Sequence, residues 1–85
     1  MRYTYTPKGV CSQQIILDVE NGIVNEIEVI GGCEGNLKGI ASLVKGMKVE
    51  DVINKLKGIK CGYKETSCPD QISKALEALE SLQQQ

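Results

Sequence analysis

The dipeptide Asn21-Gly22, set between two runs of alternating apolar and polar residues, constrains this chain more than any other feature. Both positions tolerate positive φ, so Asn-Gly between alternating runs marks a tight hairpin whose turn matches the twist of its strands. On the near side, residues 13–20 read Gln-Gln-Ile-Ile-Leu-Asp-Val-Glu, with Ile15, Leu17 and Val19 on one face and Gln14, Asp18 and Glu20 on the other. On the far side, residues 23–30 resume the alternation, with Ile27 and Val29 opposed to Glu26 and Glu28. Residues 2–6 (Arg-Tyr-Thr-Tyr-Thr) form a short β-favouring stretch, broken by Pro7-Lys8-Gly9, and predict an edge strand. Three antiparallel strands with one buried face follow from these patterns. The acids Asp18, Glu20, Glu26 and Glu28 read as the wet face of the hairpin rather than as an acid pair.

After Gly31 the period changes from two to that of a helix. Ile40, Leu43, Val44 and Met47 recur at helical spacing, predicting a helix over about residues 36–45 that stops at Gly46. A second helix over residues 49–57 buries Val49, Val52, Ile53 and Leu56, with Glu50 and Asp51 in its first turn, where the helix dipole favours anions. Gly58 ends it, and a loop runs from Ile59 to Ser67. The last helix opens at Pro69, at the first helical position, and buries Ile72, Leu76, Leu79 and Leu82. No repeat, linker or low-complexity tract divides the 85 residues, so a single domain over 1–85 is expected. The predicted class is α+β: a three-stranded antiparallel sheet followed by three helices packed on one face.

Four cysteines, Cys11, Cys33, Cys61 and Cys68, stand in a chain without histidine. Without His, general acid–base chemistry at neutral pH has few agents, whereas soft-metal binding and thiol chemistry remain open through sulfur. The N-terminus lacks the apolar core of a secretory signal, and no run approaches the length of a membrane span, so a cytoplasmic chain is expected. In a reducing compartment, thiols serve as metal ligands or reactive groups more often than as structural disulfides. All four fall outside the interiors of the predicted elements. Cys33 and Cys68 sit at helix entries, where backbone N–H groups stabilise a thiolate. The gaps of 21, 27 and 6 intervening residues contain no Cys-x-x-Cys, so neither a zinc ribbon nor a thioredoxin-type pair is present. From the residues alone, a shared metal site and a mixture of free and buried thiols both stay open.

Charge is divided unevenly. Residues 38–64 hold seven lysines against Glu50 and Asp51, a balance of +5, and the rest of the chain carries −6. This Lys-rich stretch reads first as a solvated helical face, and second as a surface for phosphate, nucleotide or an acidic partner. It has no Arg and only Tyr63 to stack on a base, so nucleic acid is not an expected partner. The Gly31–Gly35 turn lacks the Gly-Lys-Ser/Thr of a Walker A loop, so nucleotide binding ranks below metal binding. Tyr3, Tyr5 and Tyr63 read as core or surface filling.

The segment Thr66-Ser67-Cys68-Pro69-Asp70 spells the signature of the TSCPD family, and the likeness extends to Cys11, the glycine-bracketed Cys33 and Cys61. The chain resembles a small stand-alone bacterial member. The same module is similar to the C-terminal extension of adenosylcobalamin-dependent ribonucleotide reductases. The resemblance implies metal binding by Cys11, Cys33, Cys61 and Cys68, and an association with deoxyribonucleotide synthesis. It also implies that a ribonucleoside-diphosphate reductase label reaches such a chain through shared domain membership, since 85 residues hold no reductase barrel and catalysis by the chain alone is not expected.

A second resemblance is to iron–sulfur scaffolds of the IscU/NifU type, giving a SufE/IscU-like expectation for the fold. Cys11, Cys33 and Cys68 match the three scaffold cysteine positions, and residues 43–52 resemble the scaffold's helix–Lys-Gly-Lys–helix connection. Gln13 and Ser67 stand where the scaffolds carry an aspartate and a histidine, which points to Cys61 as a fourth ligand in a closed all-sulfur site. The leading expectation is therefore a metal-binding module, holding zinc or an iron–sulfur cluster, that serves a ribonucleotide reductase or another protein client. The alternatives are a dithiol redox partner using Cys61 and Cys68, and a nucleotide-binding accessory domain.

Overall fold

The computed structural model describes residues 1–10, 12–31, 34–60, 62 and 65–83, except for the side chains of Glu34 and Gln83. Three strands come first: β1 (Arg2–Tyr5), β2 (Ser12–Glu20) and β3 (Ile23–Gly31). Three helices follow: α1 (Glu34–Val44), α2 (Val49–Leu56) and α3 (Cys68–Gln83). The sheet is antiparallel in the order β1-β2-β3, so β1 and β3 are its outer strands. All three helices lie on one side of it, α1 over β3, α3 over β2, and α2 against α3.

The hairpin forms as its sequence dictates. Asn21 and Gly22 adopt φ of 53° and 75°, the left-handed pair that a two-residue turn requires. Ile15, Leu17 and Val19 on β2 are completely buried and meet Ile72, Leu76 and Leu79 of α3 in one core. Tyr3 and Tyr5 pack half-buried against it.

Strict alternation fails at two places, and both failures position buried side chains. Val19 pairs with Val24 and Asp18 with Glu26, leaving Asn25 as an extra, bulged residue. The bulge lets Val24 and Ile27, three apart, point to the same interior. The second irregularity lies between Ser12, paired with Gly31, and Gln14, paired with Ile30, and leaves Gln13 unpaired. It turns Ser12 inward, three residues from buried Ile15.

The connector between α1 and α2 closes the hairpin end of β3. Gly46 N–H donates to the Val24 carbonyl at 2.7 Å, Val24 N–H to Met47 at 2.9 Å, and Val49 N–H to Gly22 at 2.9 Å. Gly46, with φ of 86°, supplies the expected stop after α1.

Three details differ from the periodic reading. Leu43 is 78% exposed, because α1 meets β3 through Leu37 and Val44 and its fourth apolar position falls on the solvent side. Leu82 is 44% exposed, since α3 runs past the end of the core after Leu79. Helix α3 starts one residue earlier than expected, at Cys68, so Pro69 occupies its second position. That costs no hydrogen bond, because the first four N–H groups of a helix have no partner within it.

Candidate functional site

The first turn of α3 collects side-chain hydrogen bonds from three separate segments. Ser67 caps the helix: its hydroxyl accepts from Asp70 N–H at 3.2 Å, and its carbonyl accepts the first helical bond from Gln71 at 2.9 Å. The same hydroxyl donates to the Ile59 carbonyl at 2.6 Å, tying the end of the α2–α3 loop to its start. Asp70 is 4% exposed and fully employed. Its carboxylate accepts from Thr66 Oγ1 at 2.6 Å and from Gly58 N–H at 2.8 Å, with the Lys74 ammonium at 3.6 Å. The Thr66 hydroxyl bond, helped by the Gly58 N–H and Lys74, holds this carboxyl below its ordinary pKa, outweighing burial, which pushes it up.

Gln71 joins the third segment. Its amide donates to Thr66 Oγ1 at 2.9 Å and accepts from Lys8 N–H at 3.1 Å, so the loop after β1 is pinned to α3. Gly9 in that loop comes so close that an added Cβ would stand 3.2 Å from Thr66 Cγ2. Each residue of the Thr66-Ser67-Cys68-Pro69-Asp70 run other than Cys68 and Pro69 is thus consumed in fixing the helix entry to the loops around it.

Cys68 is the residue this scaffold presents. It is half-buried, lies in the first turn of α3, and is a free thiol. Its Sγ lies 3.4 Å from Ser12 Oγ. Ser12 reaches it only because the Gln13 bulge turns that side chain inward. Cys11, Cys33 and Cys61 lie outside the described residues. Among the described residues no three His, Cys, Asp or Glu side chains form a group able to hold a metal. As a donor, Cys68 fits a soft metal: one sulfur at a helix N-terminus, with no carboxylate in hydrogen-bond contact among the described residues.

The described neighbours of all four cysteines meet at this end of the sheet. Ser12, next after Cys11, touches Cys68 and pairs with Gly31, two residues before Cys33. Ile59, two residues before Cys61, is bonded to Ser67. The TSCPD domain family matches residues 1–80. The chain belongs to the TSCPD family. It is a small domain of the kind found in ribonucleotide reductases. No curated protein and no solved structure matches it, so the likeness to iron–sulfur scaffolds rests on sequence order alone.

The remaining expected sites of this TSCPD domain are dispersed. Within the Lys-rich stretch, Lys57 pairs with Glu77 at 3.2 Å and Lys60 with Glu65 at 3.6 Å. Lys38 lies on α1, Lys45 in the turn that follows it, and Lys55 on α2. Tyr63 and Lys64 lie outside the described residues, as do Gly32 and Cys33 of the glycine turn. Glu20, Glu26 and Glu28 are exposed and Asp18 half-exposed on the helix-free face of the hairpin, the wet face expected of them. No helix among the described residues is long and apolar enough to cross a membrane. Sequence reasoning singled out Cys68 but missed Ser12, Thr66, Ser67 and Gln71. The spacing Ser67-x-x-Asp70 is the signal of a helix N-cap that would have found two of the network's members.

Proposed function

We propose that this TSCPD domain is a non-catalytic metal-binding module in which Cys11, Cys33, Cys61 and Cys68 hold zinc or an iron–sulfur cluster. Its role is accessory to ribonucleotide reduction. The observation that supports this reading is the hydrogen-bonded convergence of Ser12, Gly31, Ile59 and Ser67 around the first turn of α3. These residues flank the four sulfurs in sequence, and four thiols in a histidine-free chain suit a soft cation. The metal supplies cross-linking of distant segments and, as a cluster, an electron-accepting centre. The chain's own residues set the frame: Asp70, Thr66 and Gln71 fix α3, Ser67 holds the loop carrying Cys61, and Ser12 meets Cys68.

The test is elemental analysis of natively purified protein, repeated with each cysteine changed to serine. Each single change lowers retained metal and melting temperature together, because metal binding and folding are linked. Colourless protein holding one zinc assigns zinc, and brown protein from anaerobic preparation assigns a cluster. Metal content unaffected by Cys68→Ser, or four thiols that alkylate alike with and without chelator, overturns the reading. A fast-reacting pair at Cys61 and Cys68 in metal-free protein favours the dithiol redox partner instead.

A further inference from the structure

Helix α1 packs beside the outer edge of β3. The α1–α2 connector covers this edge only at Ile23 and Val24. From Asn25 to Gly31, no backbone hydrogen bond outside the sheet is formed among the described residues. Seven residues of open edge correspond to about 23 Å of strand. Between this edge and α1 lies an open groove of about 450 Å³. Ile27, Val29, Leu37 and Ala41 supply its apolar lining. Exposed main-chain edges of this kind accept an added strand.

The charges beside the edge select what can add. Along β3, Glu26 and Glu28 stand in line on the helix-free face, and both are exposed. On the opposite side of the groove stand Lys38 of α1 and Lys45 of the turn after it. A strand laid along β3 presents its side chains alternately to these two sides. Basic residues on the face of Glu26 and Glu28, with apolar residues between them over Ile27 and Val29, satisfy both. The opposite facing puts the basic residues away from Glu26 and Glu28 and toward Lys45.

A second copy of this chain meets charge repulsion in the three central registers. Antiparallel self-pairing centred on Ile27 sets each Glu26 against Glu28 of the other copy, and centring on either glutamate sets it against itself. Like charges directly opposite destabilise a sheet pair. We infer that the β3 edge is a docking site for an extended segment of a partner protein in which basic residues alternate with apolar ones. That segment adds as a fourth strand beside α1. Of this edge only Gly31 also flanks the proposed metal site, and strand addition along Asn25–Ile30 does not depend on metal.

The probe is a blocked peptide of alternating Lys and Val, titrated into the full chain as purified and followed by backbone amide shifts and hydrogen exchange. Controls are a peptide of the same composition with its lysines in one block, and an alternating Glu–Val peptide. The expected result is slowed exchange confined to amides of Asn25–Gly31, and affinity lowered about tenfold or more by the double variant Glu26→Lys, Glu28→Lys. Both positions are exposed, so the variant's unchanged melting temperature separates lost docking from lost fold. Equal binding of the block peptide, preference for the Glu–Val peptide, or no effect of the charge reversal overturns the inference. So does a peptide-free dimer in sedimentation with these same amides protected.

Discussion

Asp70 shows what a single side chain contributes to this fold. It gathers Thr66, Gly58 and Lys74 on one buried carboxylate, and Ser73 Oγ donates to its backbone carbonyl at 2.6 Å. Replacing it by Asn puts an amide donor against the Gly58 N–H or the Thr66 hydroxyl. We expect Asp70→Asn to cost about 1–3 kcal/mol in chemical denaturation, the range for a buried polar group deprived of its partner. The pH dependence has a definite sign. The folded carboxyl titrates below its ordinary value of 3.8, so the unfolded chain takes up this proton first as pH falls. The contribution is whole above the ordinary value and is lost as pH drops through the lowered one. Melting between about pH 5 and pH 2 should therefore fall more steeply in the parent than in Asp70→Asn. Parallel curves would show that the bonds to Thr66 and Gly58 do not favour the charged form. Little of this was legible in the sequence. Pro69 drew the helix start to itself, whereas the hydroxyl of Ser67, two residues earlier, is what caps the helix.

At the scale of elements, the patterns that were read correctly are those in which side-chain period alone decides. Ile15, Leu17 and Val19 alternate and are buried; Asn21-Gly22 turns; Val49, Val52 and Ile53 lie inward on α2. The misreadings sit where tertiary context overrides period. Leu43 and Leu82 have helical spacing but lie beyond the surfaces that α1 and α3 meet. Val24 and Ile27 are both buried against strict alternation because Asn25 bulges out of the ladder. The bulge yields a sharp contrast between two single-residue deletions. Removing Asn25 leaves Val24 and Ile27 two apart, so the inward face survives and only the local twist and bend are lost. Removing Ile16 from the regular part of β2 makes Ile15 and Leu17 neighbours and drives half of that face into solvent. The Asn25 deletion should fold, with cooperative melting and near-parental circular dichroism, while the Ile16 deletion should not. An unfolded Asn25 deletion would mean that the bulge itself, and not face parity, holds the hairpin.

The whole molecule has a small core for its many loops. Among the described residues, the buried apolar ones come from β2, β3 and the three helices, and none from the segment between Leu56 and Cys68. That segment is held by polar contacts alone among the described residues: Gly58 to Asp70, Ser67 to Ile59, and the exposed pairs Lys57–Glu77 and Lys60–Glu65. Exposed ion pairs are each worth under about 1 kcal/mol. A domain of this size is commonly completed by a cross-link. A metal on the proposed cysteines would bind the folded chain far better than the unfolded one. Free metal at about 100 times its dissociation constant then adds about 2.7 kcal/mol. For a domain of this length, about 4–8 °C of melting temperature follows each kcal/mol, so removing the metal should lower melting by about 10–20 °C. Hydrogen exchange locates the loss. On chelation, amides of Gly58, Asp70 and Gln71 should open first, while Ile15, Leu17 and Leu76 exchange only with global unfolding. Restoring zinc or iron with sulfide should return both quantities. A melting temperature that chelator moves by less than about 2 °C, with exchange at Gly58 unchanged, would mean that the hydrogen bonds around Asp70 hold this loop without any metal.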